Sequence, residues 1–367
     1  MPGRSLVSPT SNPLLEKALR EKLQRRNQTS GSVGQLEPLA VRLGLMQRTL
    51  KPRLREPQLL IFAADHGIAV DGVGDQEHHG THEVVMQLMT GQLPISVFAR
   101  IQQLELSVVD CGVAAELHGH ERLLARKIAH GTRNARLSNA MTVEQAHAGM
   151  RAGMEIGDKL RGNAVVLAGM GVGASESAAM VLSRLTDTPV RDLLLPGHLV
   201  DAQELAHTLE IVRKTQARHR EVADPIEVLA AFGGFEVAVM MGVMLMAASK
   251  RHLLMVDGLP ACAALMLASR IAQPVTDYCV FCRSHPHRGL DVALQLFRAT
   301  ALMELGLDGT DGTGATLAWP LVRSAAALLT EVADGDDAGP SWPTPLDDAD
   351  EEVEEEVPST FPSDRLY

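Results

Sequence analysis

Short apolar runs alternate with longer amphipathic stretches along this chain. Residues 59–64 (Leu59-Leu60-Ile61-Phe62-Ala63-Ala64) are continuously apolar and end in Asp65-His66-Gly67. A run this short and this apolar predicts a strand buried on both faces. The arrangement recurs. Residues 106–109 end in Asp110-Cys111-Gly112, residues 164–168 in Gly169-Met170-Gly171-Val172-Gly173, residues 253–256 in Asp257-Gly258, and residues 278–281 in Cys282-Arg283-Ser284. Long stretches of helical character lie between these runs. Residues 14–26 and 36–45 predict two more helices, separated by Gly31-Ser32-Val33-Gly34.

Strand–helix alternation of this kind predicts an α/β fold. The expectation is an open, mostly parallel, doubly wound (Rossmann-like) sheet with flanking helices. Ligands of such sheets bind outside the carboxyl ends of the strands. The polar and glycine residues collect at those ends here.

Composition changes the picture only in part. The chain has 367 residues, 46% hydrophobic and 22% charged, which is ordinary for a globular protein. Aromatics make up 3%, so Leu, Val, Ala and 16 Met must fill the core. The net charge is −11, and residues 334–356 carry eleven acidic residues with no Lys or Arg. The rest of the chain is therefore near neutral. It has no basic stripe, which excludes nucleic acid as a partner. The acidic stretch 334–367 is expected to be a disordered tail and residues 1–13 a flexible N-terminus. No secretory segment and no membrane-spanning apolar run is read, so a cytoplasmic protein with no membrane partner is expected.

Of the four cysteines, Cys279 and Cys282 form a CxxC pair inside an apolar run, and burial explains them better than metal. His78 and His82 have the spacing of ligands on one helix face, but no third ligand is placed beside them. The expectation is no metal and no cofactor.

Three glycine turns are candidates for chemistry. Gly169-Met170-Gly171-Val172-Gly173-Ala174-Ser175 leads from a strand into a helix at 176–185. Such a turn offers backbone N–H groups to a phosphate. Its GxGxG spacing is not the dinucleotide fingerprint. Gly309-Thr310-Asp311-Gly312-Thr313-Gly314 precedes a helix at 315–332. Asp311 there reads either as a helix cap or as a general base. Phe232-Gly233-Gly234-Phe235-Glu236 reads as close helix packing.

In order, these segments resemble one family over residues 14–333. Ser30-Gly31-Ser32-Val33-Gly34-Gln35-Leu36-Glu37 is similar to its "PxGSLGxLE" segment. Phe62-Ala63-Ala64-Asp65-His66-Gly67 is similar to "FAxDHG", and Val108-Val109-Asp110-Cys111-Gly112-Val113 to "VVDVGV". The stretch from Asp224-Pro225 to Gly233-Gly234-Phe235-Glu236 resembles "DPxxVLAAxGGFE", and Gly312-Thr313-Gly314-Ala315 closes the series. The family is that of nicotinate-nucleotide–dimethylbenzimidazole phosphoribosyltransferase.

The resemblance implies transfer of 5-phosphoribose from nicotinate mononucleotide to 5,6-dimethylbenzimidazole or a related aromatic base. The products are α-ribazole 5′-phosphate and nicotinate, in cobalamin biosynthesis. It also implies a homodimer and a small helical subdomain built from residues 14–50 and the end of the domain. Carried over residue by residue, it makes Asp311 the catalytic base, where the family has Glu. Substrate binding falls to Asp65, His66, Glu83, Gly171, Gly173, Ser175, Glu176, Ser284, Gly312, Thr313 and Gly314. Gly169 stands where the family has a second Glu, and Glu83 or Glu176 is a candidate to replace it. The family's phosphate loop falls on 196–200 and its downstream Lys on Thr208, neither of which matches. A catalytically degenerate paralogue that binds a nucleotide or base as a sensor is the alternative.

Overall fold

The computed structural model describes residues 5–74, 80–195 and 202–332. His78, His79, the 196–200 stretch and the acidic tail lie outside the described residues.

The first half of the chain runs α1 (Pro13–Ser30), α2 (Leu36–Gln47), β1 (Gln58–Ala64), α3 (Thr81–Thr90), α4 (Pro94–Ile101), β2 (Glu105–Gly112), β3 (Leu123–Ala125) and α5 (Val143–Asp158). The second runs β4 (Ala164–Met170), α6 (Ala174–Thr186), α7 (Val190–Leu193), α8 (Ala202–Arg218), α9 (Pro225–Phe232), α10 (Phe235–Ser249), β5 (Leu253–Asp257), α11 (Leu259–Ile271), β6 (Cys279–Cys282), α12 (Arg288–Leu296) and α13 (Thr313–Thr330). All six strands are parallel, in the order β3-β2-β1-β4-β5-β6. The doubly wound expectation therefore holds.

This order has one reversal. From β1 the chain winds outward through β2 to β3, then returns to β4 and winds the other way. The crevice between the carboxyl ends of β1 and β4 is where such a sheet opens to a ligand. Helices cover both faces, so the central strands β1, β4 and β5 are mostly apolar and nearly fully buried. Helix α10 is apolar all round and is buried on nearly every residue, as that composition requires.

At the other end of the molecule α13 packs on α1 and α2. Lys22 Nζ donates to the Leu329 carbonyl at 2.8 Å, and Arg26 donates to the Leu328 carbonyl.

Three details differ from the sequence reading. Residues 5–12 were expected to be flexible, yet Val7 is fully buried. The Tyr278 hydroxyl donates to the Ser8 carbonyl at 2.7 Å, and the Thr10 N–H donates to Asp277 Oδ2 at 2.9 Å. One apolar anchor and two long-range hydrogen bonds fix a segment that composition alone marks as loose. Next, β3 is an edge strand of three residues, two half-buried and one exposed, too short to leave a pattern. Finally, Tyr278 ends a 3-10 turn (Gln273–Tyr278) and does not open β6. The stretch Thr81–Ile101 is long and apolar enough to cross a membrane by composition, but it is broken at Gly91 into α3 and α4, which pack on β1 and β2.

Candidate active site

A cleft of about 760 Å³ opens at the carboxyl ends of β1 and β4. One wall is the glycine turn Gly171–Gly173 with the start of α6. The facing wall is Thr310 and Asp311, with His285 and His287 beside them.

The glycine turn is set by the seam between the two strands. Gly171 has φ +150°, and a Cβ there would lie 1.7 Å from the Ala64 carbonyl oxygen. Only glycine lets the turn cross β1 at that distance. Asp65 then locks the turn from below. One carboxylate oxygen accepts the Ala114 N–H at 2.7 Å, and the other accepts the Thr81 hydroxyl. Thr81 Oγ1 in turn accepts the Val172 N–H at 3.1 Å, inside the glycine turn. Thus Asp65 acts through Thr81, and its own carboxylate does not line the cleft.

His66 lies deeper. Its Nε2 is 3.2 Å from Glu236 Oε1, and both side chains are buried. Burial works to lower the His66 pKa, but the neighbouring Glu236 outweighs it and the net shift is upward. His66 is therefore a buttress under the turn, not a cleft residue.

Ser175 and Glu176 stand at the cleft mouth in the first turn of α6. Burial raises the Glu176 pKa, against the pull of its own backbone N–H and of His66, while Glu204 across the cleft adds to the rise. Glu83 points elsewhere. It is exposed on α3, whose cleft-facing residues are Thr81 and Val84. Glu83 is not among the described residues that line the cleft, since helix periodicity turns residue 83 away from the face that carries 81 and 84.

Across the cleft, Asp311 precedes the α13 N-terminus with its side chain 14% exposed. Its Oδ1 lies 3.3 Å from His285 Nε2. Its Oδ2 is pressed against Gly258, where a Cβ would sit 2.0 Å away. Gly258 has φ +92°, so glycine is required there twice over.

Behind Asp311 lies a second carboxylate. Asp257 is fully buried at the end of β5. Its Oδ2 accepts the Ser284 hydroxyl and the Ala315 N–H, each at 2.8 Å. Ser284 Oγ also accepts the Gly314 N–H at 2.8 Å. Burial, then repulsion from Asp311, pushes Asp257 up to about 7 against those two hydrogen bonds. Ser284, Gly312, Thr313 and Gly314 thus form the scaffold that seats Asp311 and do not line the cleft. His285 goes the other way. Burial lowers its pKa, but Asp311 and Asp308 outweigh that and raise it to about 9.

Gly169 lines the cleft floor, and a Cβ there would lie 2.7 Å from Pro260 Cβ. Thr208 lines the wall, whereas Lys214 on the same helix is exposed and bonds Glu210 at 2.6 Å. Among the described residues the lining holds no Lys or Arg. No group of three metal-ligating side chains occurs among them either. The four cysteines are free and buried.

The sequence reading gave His285 and His287 no task, and it marked Asp257 only as a strand end. Their signal was position: Asp257 ends β5 and the two histidines follow β6, all at the carboxyl edge where the ligand binds.

Comparison with known proteins decides the family. Residues 8–339 match a family described as phosphoribosyltransferase. A protein of Cupriavidus taiwanensis named nicotinate-nucleotide–dimethylbenzimidazole phosphoribosyltransferase is 41% identical over 340 residues, covering 91% of this chain and 98% of that one. The chain belongs to the nicotinate-nucleotide–dimethylbenzimidazole phosphoribosyltransferase family. A family member from Dechloromonas aromatica is 39% identical over 333 residues, covering 89% of this chain and 96% of its own length. The crystal structure of the family member from Thermus thermophilus superimposes with a TM-score of 0.81 at 29% identity, covering 90% of this chain and 99% of that one.

Proposed function

We propose that this chain transfers 5-phosphoribose from nicotinate mononucleotide to 5,6-dimethylbenzimidazole or a related aromatic base. The products are α-ribazole 5′-phosphate and nicotinate, the former for the lower-ligand nucleotide of cobalamin. The observation that carries the reading is the placement of Asp311. It is a largely buried carboxylate facing the glycine turn across the switch-point cleft, in a chain that belongs to this family.

The chemistry needs little beyond positioning. The pyridinium of the donor leaves as a neutral ring, so no general acid is required. Asp311 takes the N–H proton of the attacking azole as the new glycosidic bond forms. The carboxylates Asp311 and Glu176 favour positive charge on the ribose carbon as the old bond breaks. The Gly171 and Gly173 ends of the turn and the α6 N-terminus face the phosphate, while the Val172 N–H is held by Thr81. The walls hold both substrates close and keep water out.

Transfer from relatives named for this reaction supports an enzyme over a base-binding sensor. The reading includes a cytoplasmic homodimer, with 14–333 as one phosphoribosyltransferase-like unit. The test is incubation with nicotinate mononucleotide and dimethylbenzimidazole, with chromatography for nicotinate and the α-ribotide. Ligand binding without either product overturns the enzyme reading.

A further inference from the structure

His285 occupies the cleft wall with both ring nitrogens committed. Its Nε2 lies 3.3 Å from Asp311 Oδ1, and its Nδ1 lies 3.2 Å from Asp308 Oδ1. The Nδ1 contact is a hydrogen bond and the Nε2 contact an ion-pair distance; a ring protonated on both nitrogens between two carboxylates has no lone pair left to accept a proton. It is therefore not the base. Asp308 is 86% exposed and Asp311 14%, so the inner contact is the stronger of the two.

We propose that His285 is a positioning residue for phosphoribosyl transfer, whose ring beside Asp311 Oδ1 fixes that carboxylate toward the cleft.

This inference rests on the transfer reading. Gly258 and His285 grip Asp311 from opposite oxygens: the bare glycine backbone receives Oδ2, and the imidazolium holds Oδ1. The charged groups around His285 are Asp308 and Asp311 from the segment before α13, Asp257 from the end of β5, and Arg283 and His287 on its own stretch. Without a cation, two carboxylates would share one buried site and one would keep its proton. His285 settles which one. Asp257, whose Oδ1 has no hydrogen-bond partner among the described residues, takes the upward shift.

The experiment compares the unsubstituted protein with His285→Asn and His285→Gln. Steady-state kinetics with nicotinate mononucleotide and dimethylbenzimidazole run from about pH 5 to about pH 9. His285→Asn is expected to lower kcat by about tenfold to a hundredfold, with KM for either substrate changed less than about threefold. The acid limb of kcat moves to higher pH, because Asp311 has lost its cation. His285→Gln keeps a donor near the Nε2 position, so it recovers part of kcat but leaves the acid limb shifted. Unchanged kcat and an unmoved limb in both variants overturn the proposal. So does a fall in kcat with the limb unmoved, which is a structural role.

A second measurement needs neither turnover nor the His285 variants. Imidazole NMR of the full chain should find His285 titrating near 9, and near the ordinary histidine range in Asp311→Asn. Ordinary titration in the unsubstituted protein overturns the pair. If the protein turns nothing over, the transfer reading fails while this titration still decides the contact.

Discussion

The Thr81 hydroxyl bridges Asp65 to the backbone of Val172: it donates to the Asp65 carboxylate and accepts the Val172 N–H at 3.1 Å. One side chain on α3 therefore ties the end of β1 to the turn that follows β4. Thr81→Val keeps the shape and removes both bonds, leaving the Val172 N–H without its acceptor. The expected cost is about 1–3 kcal/mol in urea unfolding. In the proposed reaction the turn faces the donor phosphate, so KM for nicotinate mononucleotide should rise and that for the base should not. Equal changes in both would place the turn away from the donor.

The seating of Asp311 gives a test at a residue that does not line the cleft. Gly258→Ala puts a Cβ 2.0 Å from Asp311 Oδ2 at a φ of +92°. The carboxylate must move, and a displacement of this order costs about a hundredfold in kcat. Asp311→Asn should lose roughly a hundredfold to ten-thousandfold, the usual span for a general base. Activity of Gly258→Ala within about twofold of the unsubstituted protein would show that Asp311 need not be held there.

Glu176 and Glu83 separate cleanly. Glu176→Gln should depress kcat/KM, because its carboxylate stands at the cleft mouth. Glu83→Gln should leave kinetics unchanged, because residue 83 is exposed outside the cleft. A slow Glu83→Gln enzyme would imply a different boundary for the site.

Asp257 predicts a pH dependence of stability. Its folded-state pKa is raised from 3.8 to about 7. A raised value contributes stability that is fully present below the unfolded pKa and is lost as pH rises through the folded one. Between about pH 4 and about pH 7 this group therefore lowers stability. Asp257→Asn removes that slope and still offers an oxygen to the Ala315 N–H. The difference in Tm between variant and unsubstituted protein should grow in favour of the variant across this range, by thermal melts. A constant difference would remove Asp257 as the source.

The buried His66–Glu236 pair is expected to matter for folding rather than for substrate. Glu236→Ala leaves His66 buried without its counter-charge, and roughly 3–5 kcal/mol should be lost. The His66 pKa is raised, so the pair's contribution is present below the unfolded histidine value and fades as pH rises past the folded one. The deficit should be larger near pH 6 than near pH 8 in urea titrations.

The sheet was legible in the sequence because buried parallel strands are continuous apolar runs, and five of the six strands announced themselves that way. β3 did not, being three residues at an edge. The glycine turns were legible for the same local reason, since a strand end followed by glycines marks a backbone crossing. What could not be read was which polar residue at a strand end faces the ligand. Asp65, His66 and Ser284 sit at such ends, yet they hold the site from behind. His285 and Asp308, from the loops, reach the cleft instead. That division depends on where β1 and β4 separate and on how α13 meets β5, neither of which is a local property of the chain.

The order of the elements bears on how the site is born. Every described strand is complete by Cys282, while Asp311 arrives only with the segment that begins α13. α13 in turn finds its seat on α1 and α2, the first helices made. A nascent chain can thus assemble the sheet and the glycine wall of the cleft before it owns a base. In the proposed reaction the base thus comes with the segment whose helix rests on the first two, and a polypeptide cut short before it has no Asp311 with which to deprotonate an azole.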